Sequence, residues 1–288
     1  MAWVCQDGRG IISVNPMRQE DKIALVMHGG GMRGAYGAGV VNALDRMIGL
    51  ERVAIVMGTS AGAANALGAA AGKVDAIREV WTRHLHVREF INAYRLKWMT
   101  NIDYLMKVLD KYGMTNALMQ KATARLYIAC THFIEGSTRY FSNHNDILGA
   151  VRASVSIPIL SQTPVMVEGE PYLDGGISTG VSDLIREAIA KGAARVIAVD
   201  LSSSVGWYQK LGLQWYSRNV PEGLKHTLGV MLKEPYPEAI APDPRVFLIR
   251  PRETMVTRLQ YSLEKLTATY ERGFNETLND YNLKTFLT

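Results

Sequence analysis

From residue 22 to residue 203 the chain alternates short apolar runs with stretches of helical periodicity. "IALVM" (23–27) and "VAIVM" (53–57) are uninterrupted apolar runs, the pattern of strands buried on both faces. Between them residues 34–49 are helical in pattern, and 75–85 and 102–112 read as further helices. A strand follows at 126–130, then a helix at 145–155 that must stop before Pro158. "TPVMVEGEPYLDGG" (163–176) predicts two short strands around a turn at Glu168-Gly169. An amphipathic helix over 181–191 and a buried strand over 195–203 complete the series, and no internal repeat is visible. Strands alternating with helices predict an α/β fold with a mainly parallel sheet sandwiched by helices.

The remainder is less regular. Residues 204–244 hold "GWYQKLGLQWYSRN" and "EPYPEAIAPDP", aromatics interleaved with Lys and Arg. They fit either a membrane-facing lid or acyl pocket, or a surface excursion packed locally on the core. Residues 257–283 form a charged helical segment in which Leu259, Leu263, Leu266 and Tyr270 recur at i, i+4, i+7 and i+11, a stripe that would pack on the domain. The expected division is a tail over 1–21 and a core over 22–203. A variable segment with one strand and a long C-terminal helix, 204–288, then packs on the same domain.

The stretch "VAIVMGTSAGAANALGAAAG" (53–72) is uncharged and long enough to span a bilayer. Its interior argues against a span: four glycines, Thr59, Ser60 and Asn65 interrupt it, and the bulky residues end at Gly58 before alanines take over. That is a strand, a tight turn and a helix. In this setting Gly58-Thr59-Ser60-Ala61-Gly62 fits G-x-S-x-G, where a strained turn lifts a serine hydroxyl above the sheet. A Cβ at Gly58 or Gly62 would collide with the neighbouring strand or helix. The following helix directs its N–H groups and positive dipole end toward charge developing near Ser60. The segment alone serves equally well if Ser60 merely caps the helix.

"HGGGMRGAYGAG" (28–39) admits three readings. Gly29, Gly31 and Gly34 satisfy the dinucleotide pattern G-x-G-x-x-G, but the next strand lacks the acidic end that would hold a ribose. His28 to Gly31 match the HGGG oxyanion loop of α/β-hydrolases. The same residues suit an oxyanion loop of another serine hydrolase fold, with Arg33 holding the loop. Gly29, Gly30, Gly31, Gly34 and Gly37 are more glycines than a packing turn requires. Sites in parallel sheets form at the carboxyl ends of strands, so this loop and Ser60 should share one rim.

A serine nucleophile needs a base. His226, in "PEGLKHTLG", is the histidine late enough for an α/β-hydrolase order, but its polar, irregular surroundings favour an exposed residue. Asp174 ends a strand and is followed by Gly175-Gly176, which display its side chain, although Asp-Gly is also a common turn pair. Asp200 ends another strand without a glycine beside it and is the weaker carboxylate candidate.

Composition narrows the field without deciding it. With 288 residues and 48% hydrophobic content the chain can bury a large core. Its net charge of +5 is spread out, with no Lys/Arg block that would indicate nucleic-acid binding, while mild attraction to an anionic membrane surface fits. Cys5 and Cys130 make no disulfide framework or zinc motif, and no metal or cofactor is expected. Residues 1–21 lack a basic segment followed by an apolar core, so the expectation is a cytoplasmic protein, in part peripheral to the inner membrane face.

Gly-Gly-Gly-Met-Arg-Gly (29–34), Gly-Thr-Ser-Ala-Gly (58–62) and Asp-Gly-Gly (174–176), with "ASVSIPIL" (153–160) and "GEPYLDGG" (169–176), together resemble the signature blocks of the patatin-like phospholipase family. The resemblance covers roughly residues 22–203 and extends loosely to "RVFLIRP" (245–251) and the C-terminal helix. It implies a lipid acyl hydrolase with Ser60 as nucleophile, Asp174 as base without a histidine, an oxyanion hole at Gly29, Gly30, Gly31 and Gly34 supported by Arg33, and a lipid or fatty-acyl ester as substrate. An aspartate with an ordinary pKa of about 3.9 could serve only if burial raised its proton affinity. His28 stands where plant members have aspartate, and "GGISTGVSDL" (175–184) lacks a proline expected there, departures that bear on the substrate pocket. A Ser-His-Asp esterase using His226, and a nucleotide-binding protein using the glycine loop, are the alternatives.

Overall fold

The computed structural model describes residues 22–92, 99–161, 163–202, 206–233, 240–252 and 256–288. The tail over 1–21 and parts of the 204–244 segment (204–205 and 234–239) lie outside them. Among the described residues one sheet is built from β1 Ile23–Met27, β2 Val53–Gly58, β3 Arg125–His132, β4 Thr138–Ser142, β5 Val165–Val167, β6 Glu170–Asp174, β7 Arg195–Val199 and β8 Val246–Ile249. The helices are α1 Gly34–Ile48, α2 Ala61–Ala70, α3 Val74–Glu79, α4 Ile102–Lys111, α5 Asn116–Gln120, α6 Ile147–Ser154, α7 Val181–Ala190, α8 Trp207–Tyr216, α9 Glu222–Met231, α10 Leu263–Leu278 and α11 Tyr281–Leu287.

The strand order is β5-β6-β3-β2-β1-β7-β8, with β4 also paired to β3. Strands β3, β2, β1, β7 and β8 are parallel neighbours, and β4, β5 and β6 run antiparallel to theirs. Both faces of β1 are covered, which explains its unbroken apolar run. Ile23, Leu25 and Met27 join a core with residues of α1, α2, α6 and α10, and Ala24 and Val26 join a second core with Val181, Leu184 and Ile185 of α7. The segment 53–72 is β2, a turn and α2, and no helix among the described residues is long and apolar enough to cross a membrane.

The sheet brings two strand ends face to face. Tyr127 and Ile128 of β3 pair with β4 on one edge, so β2, which also pairs there, occupies the other. Cys130 and Thr131 likewise pair with β4 and with β6, so β6 lies on the same edge as β2. Gly58, the end of β2, sits opposite Ile128, and Asp174, the end of β6, sits opposite Cys130. The antiparallel β6 therefore runs toward the end of the parallel β2, and their terminal turns meet. The β5–β6 turn responsible for that reversal has Glu168 at φ 50° and Gly169 at φ 89°, the two positive values of a tight hairpin.

Some expectations need correction. The strand expected over 195–203 ends at Val199, where the chain turns into the site. The helix expected over 257–283 starts at Leu263 and breaks at Asn279 before α11. Leu266 and Tyr270 are buried as the stripe requires, but Leu263 is exposed and Leu259 precedes the helix. The Tyr36 hydroxyl of α1 donates to Glu276 at 2.7 Å, fastening α10 alongside α1. Strand β4 and helix α5 were not expected from the pattern.

Candidate active site

Ser60 occupies the turn between β2 and α2 with φ 54° and ψ −133°, a conformation that costs a side-chain-bearing residue about 1–3 kcal/mol. The turn is tight because its glycines permit contact: a Cβ at Gly62 would lie 2.1 Å from the Met27 carbonyl oxygen of β1. One at Gly58 would lie 2.6 Å from the Ala66 Cβ of α2. The Ser60 amide donates to Ser154 Oγ at 2.9 Å, and that hydroxyl donates to the Ala129 carbonyl of β3 at 2.7 Å. The elbow is thus anchored to α6 and β3.

The Ser60 hydroxyl donates to Asp174 Oδ2 at 2.7 Å. The other carboxylate oxygen accepts the Gly176 amide at 2.8 Å, so the glycine after Asp174 holds the side chain as well as clearing space for it. Thr131 Oγ1 donates to the Asp174 carbonyl at 2.8 Å and fixes the strand end. Burial pushes the Asp174 carboxyl up from 3.8 to about 6, against the opposing pull of the Ser60 hydroxyl, the Gly176 amide and the Arg258 charge. The carboxylate is thereby a much better proton acceptor than an exposed aspartate.

The glycine loop passes directly over Ser60. A Cβ at Gly29 would lie 2.3 Å from the Ser60 Cβ, and Gly31 has φ +60° with Arg258 backbone against it. Arg33 Nε donates to the Gly30 carbonyl at 3.1 Å. Its guanidinium is pushed down to about 10 by burial and by the neighbouring Arg258, an effect Asp200 partly offsets. Gly34 stands apart from the reacting groups: it starts α1, where its carbonyl accepts Asn65 Nδ2 at 2.9 Å and Trp81 packs against it. His28 lines the same space, but its ring nitrogens face the carbonyls of Gly29 at 3.2 Å and Thr179 at 3.3 Å. Asp200, the second carboxylate candidate, is buried and accepts Arg250 Nε at 2.8 Å, with His28 3.9 Å away. Although its burial raises the carboxyl pKa, His28, Ser202 and Arg250 hold it below the usual range. His226 sits exposed on α9, a helix where an irregular segment was expected, and lines neither cavity described below.

Two cavities meet at Ser60. One is bounded by His28, the three loop glycines, Asp174, Ser202 and Arg258, with Leu213 of α8 and Met231 of α9 at its side. The other is walled mainly by apolar side chains, among them Trp81, Leu85, Phe90, Ile91 and Leu105. Gly31, Ser60, Ile157 and Arg258 border both.

A family profile described as Patatin-like phospholipase matches residues 25–185, more than half of the chain and the part that carries Ser60, Asp174 and the glycine loop. The chain belongs to the patatin-like phospholipase family. It is an ester-hydrolysing enzyme. It is 28% identical over 262 residues to the uncharacterized protein YjjU of Escherichia coli K12, covering 88% of this chain and 68% of that one. The crystal structure of VipD from Legionella pneumophila superposes with a TM-score of 0.55 at 13% identity, covering 93% of this chain and 67% of that one, a likeness of fold.

Sequence reasoning missed three supports of this patatin-like site. Ser154 lies within "ASVSIPIL", yet nothing local marks its hydroxyl as the partner of the Ser60 amide. Asn65 joins Gly34 to Trp81, whose Nε1 donates to Asn65 Oδ1 at 2.6 Å; a polar residue in an alanine-rich helix was its one visible signal. Arg258, in a segment read as helix, accepts the Met32 amide at 3.0 Å through its carbonyl and borders both cavities.

Proposed function

We propose that the protein is a lipid acyl hydrolase in which Ser60 and Asp174 form a catalytic dyad and the Gly29–Gly31 backbone forms the oxyanion hole. The observation that carries this reading is the 2.7 Å hydrogen bond from Ser60 Oγ to a buried carboxylate whose proton affinity is raised. His28 has its ring nitrogens turned to carbonyls and His226 is outside the cavities, so Asp174 is the base the geometry supports.

Ser60 Oγ attacks the ester carbonyl carbon while its proton passes to Asp174 Oδ2. The carbonyl oxygen gathers the negative charge beneath the glycine loop, where each donor is worth about 3–4 kcal/mol. Collapse expels the alcohol, which takes the proton from Asp174, and leaves an acyl ester on Ser60. Water then attacks, giving its proton to Asp174, and the fatty acid departs as Ser60 Oγ recovers that proton.

The two cavities divide the substrate between them. The one bordered by Trp81, Leu85, Phe90 and Leu105 suits an acyl chain, and the one that holds Asp174, Ser202 and Arg258 suits the alcohol portion. Arg258, at their junction, places positive charge where a headgroup phosphate would lie. The test is a fluorophosphonate probe with the adduct mapped by mass spectrometry. A single adduct on Ser60, absent in Ser60→Ala, is expected, and labelling elsewhere or nowhere would overturn the reading.

A further inference from the structure

The helix α8 has two unlike faces. Leu213 and Tyr216 turn inward, Leu213 into the cavity that holds Asp174 and Arg258, and Gly212 rests against Ile159. On the opposite face Leu211 is 57% and Trp215 64% exposed, four residues apart and therefore side by side. Helix α9 repeats the arrangement: Leu224, Leu228 and Met231 are buried, Met231 borders the cavity, and Val230 is 45% exposed. Ile159, next to the cavity residues Ile157 and Pro158, is 38% exposed at φ 74°, a strained backbone that keeps an apolar side chain at the surface.

Charge points to the occupant. Residues 206–233 hold Lys210, Arg218, Lys225 and Lys233 against a single carboxylate, Glu222, which pairs with Lys225 at 2.8 Å. All four cations are exposed. Outward leucine and tryptophan rimmed by Lys and Arg is the composition of an element that lies in a membrane interface, its apolar face among the acyl chains and its cations toward anionic headgroups. The position fits as well, because the inner faces of the same two helices wall the cavity that ends at Ser60. A lipid leaving a bilayer beneath α8 and α9 would reach the serine without crossing water.

We infer that the outer faces of α8 and α9, with Ile159, form a docking surface for an anionic lipid bilayer and turn the mouth of the site toward it. The route to Ser60 rests on the acyl hydrolase reading; the docking itself does not. The experiment uses the full chain with vesicles of phosphatidylcholine alone or mixed with phosphatidylserine, measuring co-sedimentation, and in parallel the hydrolysis of a soluble p-nitrophenyl ester. Wild type is expected to bind the mixed vesicles in preference to the neutral ones. Leu211→Glu/Trp215→Glu should weaken that binding by roughly tenfold or more while soluble-ester turnover stays within about twofold. Unaltered soluble turnover also reports that the variant folds. Failure of wild type to bind, equal binding by the variant, or equal binding to neutral and anionic vesicles would overturn the docking surface. So would a wild-type dimer that the variant dissolves in light scattering, since the occupant would then be a second copy. Loss of soluble-ester turnover in the wild type would instead overturn the hydrolase reading and leave the vesicle result standing.

Discussion

Asp174→Asn should abolish turnover and at the same time stabilise the fold above neutral pH. The carboxyl group titrates at about 6 in the folded chain against an ordinary 3.8, because burial disfavours its ionised form. That gap of roughly two pH units corresponds to about 3 kcal/mol. The sign follows from proton binding: between these values the folded state holds the proton more tightly than the unfolded state. The contribution is therefore fully favourable below about pH 4, declines as pH rises, and is lost once pH passes about 6. Asparagine carries no such titration. Its amide oxygen can still accept the Gly176 amide, and its amide nitrogen can donate to Ser60 Oγ, the reverse of the bond at 2.7 Å. A net gain of roughly 1–3 kcal/mol at pH 8 is expected after this exchange, which is a rise of a few degrees in Tm. The assay is thermal unfolding of both proteins from pH 4 to pH 8, with kcat/KM on a soluble ester. The wild-type rate should climb through about pH 6 as the base ionises, and the variant should lose a thousandfold or more. A variant no more stable than wild type at pH 8, or an advantage that persists unchanged at pH 4, would refute the buried-base argument.

Ser154→Ala removes the acceptor of the Ser60 amide and the donor to Ala129, so unfolding measurements should show a loss of about 1–3 kcal/mol and kinetics a lower kcat; unchanged values for both would remove Ser154 from the support of the elbow. Gly30→Ala puts a Cβ 2.5 Å from the Leu201 carbonyl oxygen, so the loop must shift from its place over Ser60; kcat/KM should fall by about a hundredfold with a lower Tm, and normal turnover would show that the loop does not bind the oxyanion. His226→Ala changes an exposed side chain on α9, so activity should be unaltered and stability within about 0.5 kcal/mol; a folded variant down a thousandfold or so would restore the triad reading.

Much of this fold was legible because the site depends on backbone constraints that leave local marks. Gly58 and Gly62 are needed where the elbow presses on α2 and β1, and Gly175 where a Cβ would lie 2.1 Å from the Ala129 carbonyl oxygen of β3. Each such demand writes a glycine into a short motif beside an apolar run. The meeting of Ser60 and Asp174 was not legible in that way. They are 114 residues apart, and they touch because β4 fills one edge of β3 and leaves β2 and β6 to share the other. Strand β4, "TRYFS", carries no continuous apolar run, so the element that enforces the encounter went unread.

The cavities show the limit of pattern more sharply. Trp81, Leu85, Phe90, Ile91 and Leu105 border the apolar cavity and are each buried to the same degree as residues of the packed core. Periodicity reports that a side chain is turned away from water; it does not distinguish a wall from a filling, because a cavity is a missing neighbour and not a residue. Leu259 illustrates the consequence. It fell on a helical stripe by spacing, yet the chain is irregular there, and the residue borders the apolar cavity just before α10 begins. The parts of the site that perform chemistry are fixed by glycines and strand ends and can be read locally. The parts that would hold the acyl chain in the proposed reading are ordinary apolar residues whose role depends on what fails to pack against them. Substitutions that alter chain-length preference should therefore concentrate at Trp81, Phe90, Leu105 and Leu259, positions the motifs leave unmarked.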